Sequence, residues 1–136
     1  MKQGEWKLVD LYVGAHIRVK VKNYYHHAIY IGNGEVVQFG HPFNVSENPQ
    51  SIKVIRSPIE DFANNETFIE VYQYSKKELK MKNKDEDIVK IALAHLGEDG
   101  YDFLRNNCEH FVNRCIFNQS ISYQVDKFQN KKVTNK

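Results

Sequence analysis

This sequence of 136 residues has few cysteines, almost no excess charge and no long apolar run. No stretch approaches the roughly 18–20 apolar residues that a membrane-spanning helix needs, so we expect no transmembrane segment. The polar segment 1–7 holds no apolar signal-peptide region, which predicts a cytoplasmic protein. A net charge of +2 is too small to favour nucleic acid as a partner, and the lysines near the end are typical of a solvated tail.

The two cysteines, Cys108 and Cys115, are seven residues apart. On one helix this offset separates them by roughly 10 Å, whereas a disulfide needs Cα atoms within about 7 Å of each other. The sequence contains no Cys-x-x-Cys or His-x-x-x-His spacing of the kind that binds zinc. We therefore expect two free thiols, no metal site and no cofactor.

The hydrophobic pattern predicts strands in the first half and helices in the second. Alternation and β-branched residues favour strands, and an apolar stripe with a period of about 3.6 residues favours helices. Residues 41–51 are typical of a loop, 75–84 of a linker, and the tail from 129 of a disordered end. Strands followed by helices indicate an α+β fold, and the length fits a single domain over 1–128. The predicted strands are 12–21, 24–31, 35–39, 52–56, 67–74 and, more weakly, 121–128; the predicted helices are 85–96 and 107–117.

Cys108 lies where the second predicted helix begins, behind two residues that can cap it, Asn106 and Asn107. Free backbone N–H groups in a first turn stabilise a thiolate and can bind an oxyanion, so this position favours a nucleophile with a lowered pKa. A second interpretation stays open. Cys108, Phe111 and Cys115 lie on one apolar stripe, and free cysteine is a common core residue.

A nucleophilic cysteine needs a base, which is usually histidine. His110 follows Cys108 by two residues, so the helix turns it about 200° away, and we expect it at the surface. His26 and His27 lie in the second predicted strand, where only one of them can face the helix. Ala28 shares the face of His26 and leaves room for a neighbour, which favours His26, although a strand histidine can also be purely structural.

The turn after this strand decides whether Gln38 can reach His26. A two-residue loop would pair Gly32 with Glu35 and put Gln38 on the opposite face. A three-residue loop, 32–34, would instead pair Ile31 with Glu35 and set Gln38 opposite Ala28, diagonal to His26. We predict the three-residue loop, with Gln38 fixing the tautomer of the His26 ring.

These segments resemble a known family. Residues 26–34 read His-His-Ala-Ile-Tyr-Ile-Gly-Asn-Gly, similar to the His-x-Ala-Ile-Tyr-x-Gly-Asp-Gly box of lecithin retinol acyltransferase-like proteins. Residues 107–113 read Asn-Cys-Glu-His-Phe-Val-Asn and match the cysteine box of the same family. Weaker likenesses are the opening around Val13-Gly14 and Ile17, and Gln124-Val125 near the end. The likeness spans residues 12–126.

The resemblance implies a circularly permuted papain-like fold related to NlpC-type peptidases. It assigns the nucleophile to Cys108, the base to His26 and the orienting role to Gln38, where the family commonly has histidine. Asn107 and Tyr30, from the same two boxes, are the further residues that we expect at the oxyanion or behind the reacting pair.

The activity that the resemblance implies is acyl transfer from a phospholipid through a thioester, to water, an amine or an alcohol. The partner would be an acyl-donor lipid or another small acyl substrate, and peripheral membrane contact is compatible with it. Two alternatives are a cysteine amidase or peptidase of the NlpC type, and a non-catalytic interaction protein that keeps the fold.

Overall fold

A six-stranded antiparallel sheet with helices packed on it forms the α+β fold of this chain, as the sequence predicts. The computed structural model describes residues 4–22, 24–42 and 48–126. The strands follow the order β1-β6-β2-β3-β4-β5 across the sheet. They are β1 Glu5–Lys7, β2 His16–Val21, β3 Tyr24–Gly32, β4 Glu35–Phe39, β5 Val54–Pro58 and β6 Glu70–Gln73.

The described residues form four helices beside the sheet, and none of these is long and apolar enough to cross a membrane. A 3₁₀ turn at Pro49–Ser51 precedes β5, and residues 123–126 form a single helical turn after the last helix. The helices are α1 Ile59–Ala63, α2 Lys76–Met81, α3 Asp85–Ala94 and α4 Cys108–Phe117.

The sheet separates two apolar clusters, because successive side chains of a strand point to opposite faces. On one face Ile29 and Val37 pack against α3 and α4. On the other face Ala28 and Val36 pack with Phe62 of α1. The helix that begins at Cys108 therefore belongs to one face of the sheet only.

The hairpin between β3 and β4 brings Gln38 opposite Ala28, which is the predicted pairing, but the predicted loop is wrong. Gly32 pairs with Glu35 across a two-residue loop, and the register shifts between Tyr30 and Gly32. This shift is a β-bulge, in which one extra residue of β3 is accommodated. Asn33 and Gly34 both have positive φ, as a two-residue hairpin turn that follows the strand twist requires.

Most predicted elements agree with the structure to within a few residues. β4 has the predicted bounds, and α4 begins one residue later than predicted because Asn107 is its cap. Two predictions are wrong: a helical turn replaces the weak strand after residue 121, and the linker 75–84 contains α2. Residues 43–47 of the predicted loop and the predicted tail from 129 lie outside the described residues.

A capping box explains why α2 forms in so charged a segment. The Ser75 side chain accepts from the Glu78 backbone N–H, while the Glu78 carboxylate accepts from the Ser75 backbone N–H. The Tyr72 hydroxyl also donates to Glu78, 2.7 Å away, and so joins α2 to β6. The spacing Ser-x-x-Glu was the sequence signal for this helix start.

We expect Gly14→Ala to destabilise the fold more than Gly34→Ala. Both residues have positive φ, which costs alanine about 1–2 kcal/mol. A Cβ on Gly14 would also lie 2.9 Å from the backbone oxygen of Asp85, whereas nothing lies within 4 Å of one on Gly34. Overpacking of this kind adds about 1–3 kcal/mol, which denaturant unfolding would measure. Equal losses in the two variants would contradict this account of Gly14.

Candidate active site

The start of α4 is fixed by a reciprocal cap between Asn107 and His110. The Asn107 Oδ1 atom accepts from the His110 backbone N–H at 3.0 Å, and the Asn107 backbone N–H donates to His110 Nδ1 at 2.9 Å. The prediction of a surface His110 is wrong, since its side chain turns back to the cap and is buried. Two unpaired N–H groups of the helix start are thereby satisfied.

The amide of Asn107 is engaged on its other side as well. Its Nδ2 atom donates to the Phe103 carbonyl at 2.8 Å and to Ser122 Oγ at 3.2 Å. Both polar atoms of this side chain therefore hold the helix start in place. The structure sets Asn107 directly before the thiol, where it fixes the orientation of α4.

Cys108 occupies the first position of α4, and its thiol lies against the backbone of β3. The sulfur is 4.0 Å from the Tyr25 carbonyl oxygen, which accepts from the thiol. Burial raises the pKa of Cys108 to about 12, although hydrogen bonding from the His27 backbone N–H and from those of Glu109 and Cys108 itself lowers it. The expected low pKa is therefore wrong for this closed state, because desolvation outweighs the helix start.

His26 and Gln38 are joined by a hydrogen bond of 2.8 Å between Nε2 and Oε1, and both are buried. Gln38 Nε2 donates in turn to Ser57 Oγ at 2.6 Å, which leaves the Gln38 oxygen as the acceptor for the ring. The His26 Nε2 atom then carries the hydrogen and Nδ1 keeps its lone pair. Ser57, on β5, was not predicted as a site residue, because an isolated serine in a strand does not indicate a functional site.

The His26 ring is neutral near pH 7. Burial lowers its pKa to about 4, although the hydrogen bonds to Gln38 and to the Gly40 backbone oppose that shift. The ring also packs against Phe62, with centroids 5.5 Å apart. A neutral imidazole with an unprotonated Nδ1 can accept a proton.

The Cys108 thiol approaches β3 at the edge of the sheet, whereas the His26 ring lies on the opposite face, against Phe62. Cys108 belongs to the cluster around Ile29, whereas His26 points to the opposite face with Ala28. Within the described residues no hydrogen bond joins Cys108 to His26. Because β4 ends at Phe39, the thiol reaches the free edge of β3 beyond that end, where it contacts the backbone on both sides of His26.

Gln124 ties the same edge of β3 to α4. Its side-chain amide forms two hydrogen bonds with the Tyr25 backbone, accepting at 2.8 Å and donating at 3.1 Å, as a neighbouring strand would. Its backbone N–H donates to the Glu109 carboxylate at 3.1 Å, which also accepts from Ser122 at 2.8 Å. The sequence pattern gave Gln124 no role, and only the resemblance drew attention to it.

Tyr30 is placed at the other end of the hairpin. Its hydroxyl accepts from the Gly34 backbone N–H at 3.2 Å and so supports the turn. Tyr30 is four residues along β3 from His26, roughly 13 Å at strand spacing, so the structure does not bring it to Cys108.

Comparisons with known proteins show that this chain is similar to one family. The sequence model of the lecithin retinol acyltransferase family matches residues 10–121. The bovine protein named lecithin retinol acyltransferase is 39% identical over 77 residues, which cover 55% of this chain and 33% of that protein. The rat protein of the same name is 37% identical over 71 residues, 52% of this chain and 30% of that protein.

A shorter match to the human protein of that name is 46% identical over 44 residues, 32% of this chain and 19% of that protein. The matched stretches thus span a third or less of the length of these curated relatives.

We expect Cys108 to react slowly with iodoacetamide at pH 7. Burial raises its pKa to about 12, so the thiolate fraction and the rate should rise about tenfold per pH unit from pH 7 to 9 without levelling off. The measurement is the alkylation rate by mass spectrometry in a Cys115→Ala background. In denaturant the same thiol should level off near its ordinary pKa of about 8.5. A plateau below pH 8 in the folded protein would show a low pKa instead.

Proposed function

This chain belongs to the lecithin retinol acyltransferase family, and from that membership we propose that it transfers acyl groups from a lipid through a thioester on Cys108. The observation that carries the proposal is the position of the thiol. It begins a capped helix and touches the backbone on both sides of His26. The proposed nucleophile and its amide donors thus lie beside the backbone of the strand that carries the proposed base.

In the proposed reaction the Nδ1 atom of His26 removes the thiol proton as the sulfur attacks the ester carbonyl carbon. The carbonyl oxygen becomes an oxyanion, to which the backbone N–H groups of Cys108 and Glu109 can donate. The intermediate then expels the alcohol, which takes the proton from His26, and the acyl group stays on sulfur. Water, an amine or an alcohol attacks the thioester in the second half, with His26 again acting as base.

Gln38 acts in this scheme through His26. Its oxygen holds Nε2–H, which keeps Nδ1 available, and Ser57 fixes the amide in that orientation. An amide adds no charge, so the imidazolium formed during the reaction is stabilised by hydrogen bonding alone. This differs from the histidine that is common at the same position in the family.

The described state requires a rearrangement before reaction. The thiol is 2% exposed and its proton points to Tyr25, so an acyl donor must open the edge and either the thiol or the imidazole must rotate. Catalytic hydrogen bonds are often long in substrate-free structures and tighten in the complex. A retained fold without catalysis is the second candidate, favoured by the same burial.

The arrangement supports the permuted papain-like fold as a further proposal. Its features are an antiparallel sheet, a histidine strand that precedes the cysteine in the chain, and a cysteine at the first position of a helix packed on that strand.

A hydrogen-bonded turn at 102–106, just before α4 in the chain, can provide a contact for a lipid surface. Asp102 and Asn106 close the turn with paired backbone hydrogen bonds, and the Asp102 carboxylate accepts from the Leu104 N–H. Phe103 and Leu104 project from it with 53% and 47% of their surfaces exposed. Arg105 beside them is exposed and has no ion pair among the described residues, so it can meet lipid phosphate.

Mass spectrometry after incubation with a phospholipid tests the acyl-enzyme. We expect an acyl adduct on Cys108 that is absent from Cys108→Ala, while Cys115→Ala retains it, because Cys115 is two turns along α4 in the core. His26→Gln should slow adduct formation by about 10²–10⁴-fold, the usual contribution of a general base.

His95→Gln is the matched control. His95 caps the end of α3, pairs with Glu98 and has no hydrogen bond to Cys108 or His26 among the described residues, so this change should leave the rate unchanged. Phospholipids, activated esters and amides are all offered as donors. If none of them acylates Cys108 in the folded protein, the catalytic proposal fails and the non-catalytic one stands.

Vesicle flotation tests the turn. Replacing both Phe103 and Leu104 with serine should weaken binding to phosphatidylcholine vesicles at least tenfold, because inserting each side chain contributes about 1.5–3 kcal/mol. Hydrolysis of a water-soluble short-chain ester should be unchanged. Leu79→Ser on α2, which is 57% exposed, is the control for loss of an exposed apolar side chain elsewhere. Equal weakening by Leu79→Ser would remove the turn from the proposal.

A further inference from the structure

Two further buried histidines, His16 and His27, lie on the face of the sheet opposite His26. His16 Nε2 and His27 Nδ1 are 2.7 Å apart, and the two rings pack edge-on against Trp6. The Nε2 atom of His27 is 3.2 Å from the Gln124 side-chain nitrogen. The pair thus contacts the residue that ties β3 to α4.

Both rings are neutral near pH 7. Burial is the largest cause that lowers the pKa of His16 and of His27, and the neighbouring Arg18 lowers both further. Glu70 is bound to Arg18 at 2.9 Å and does not offset that effect on either ring. Each ring therefore has one protonated nitrogen and one nitrogen with a lone pair. The hydrogen-bond partners determine which of the two nitrogens is protonated.

The Tyr25 backbone fixes these assignments. Its N–H requires an acceptor and its carbonyl requires a donor, so the Gln124 amide presents Oε1 to the first and Nε2 to the second. The Gln124 nitrogen is therefore a donor to His27 Nε2, which must be the unprotonated nitrogen of that ring. His27 Nδ1 then carries the hydrogen and donates it to His16 Nε2.

We propose that His16 and His27 form a positioning dyad, which holds Gln124 on the Tyr25 backbone and thereby keeps the Tyr25–His27 stretch closed over Cys108. The other tautomer of His27 would point an N–H at the Gln124 amide nitrogen, donor against donor, and would release the amide from Tyr25. With His16 Nε2 as the acceptor for His27 Nδ1–H, the hydrogen bond between the two rings is compatible only with the tautomer of His27 that keeps the amide in place. This role rests on the proposed function only because the Tyr25–His27 stretch covers Cys108, the proposed nucleophile.

A pair of matched substitutions separates this role from simple packing. In His27→Gln the side-chain amide reaches the position of Nε2 and can accept from Gln124. In His27→Asn it reaches only the position of Nδ1 and loses that contact. Both variants lose the imidazole ring beside Trp6, so they lose ring packing alike.

The first readout is the rate of Cys108 alkylation at a fixed pH in the Cys115→Ala background, which requires no enzymatic activity. His27→Asn should speed alkylation roughly two- to tenfold, because one neutral hydrogen bond that closes the edge is lost. His27→Gln should retain the parent rate, and His95→Asn is the control for losing a histidine elsewhere.

The second readout is the ¹⁵N spectrum of the histidine rings, in which His27 should show an unprotonated Nε2 and a protonated Nδ1. A protonated Nε2, or the same alkylation rate in His27→Asn and His27→Gln, would overturn the proposal.

If the acyl-enzyme forms, His27→Asn should also raise the acylation rate, because the edge that the acyl donor must open is held less firmly, while His27→Gln keeps the parent rate. Because neither alkylation nor the ring tautomer depends on acyl transfer, failure of the proposed function leaves the test of the dyad intact.

Discussion

The register of β3 against β4 controls the pairing of His26 with Gln38, and one bulged residue sets that register. Without the shift between Tyr30 and Gly32, the two-residue turn would place Gln38 on the opposite face. With it, Ala28 faces Gln38 and the diagonal His26 comes within 2.8 Å of the amide. The hydrogen bond from Gln38 to Ser57 then joins this pair of side chains to β5.

The end of β4 is the second constraint, because it leaves one edge of β3 free beside Cys108. Groups from the last part of the chain occupy that edge: Gln124 takes the hydrogen-bonding position of a missing strand, and the thiol lies over the same carbonyl. An edge filled by side chains can open without breaking the sheet. In the proposed reaction, this would give an acyl donor a route to a thiol that is closed in the described state.

The sequence was sufficient for the fold class, for the helix that begins at Cys108 and for the pairing of Ala28 with Gln38. Each of these depends on local patterns: hydrophobic period, a capping asparagine and a glycine-containing turn. The bulge was not predictable, because a two-residue turn with a bulge and a three-residue turn give the same pairing from the same letters. The short helix α1 was missed for a related reason, since a five-residue helix is stabilised by the burial of Phe62 rather than by its own periodicity.

Within the candidate site, the sequence pattern did not predict two of the side chains that hold other site groups in place through hydrogen bonds. Ser57 and Gln124 are 19 and 86 residues from Gln38 in the chain, as their numbers show. No pattern marks Ser57, and only the likeness to the family marks Gln124. The prediction of a lowered pKa for Cys108 was wrong for a different reason. A helix start lowers it, but the degree of burial follows from tertiary packing and has the larger effect.

Burial of the thiol has opposite consequences for the resting state and for the proposed transition state. Desolvation keeps Cys108 and His26 neutral, which protects the thiol from unrelated electrophiles. The same low-dielectric surroundings strengthen every hydrogen bond from a fixed N–H to a negative oxygen. In the proposed reaction, the backbone N–H groups of Cys108 and Glu109 would therefore stabilise the oxyanion more than they stabilise the neutral thiol at rest. An enzyme gains rate from interactions that are stronger in the transition state than in the ground state, and a buried, capped helix start meets that condition.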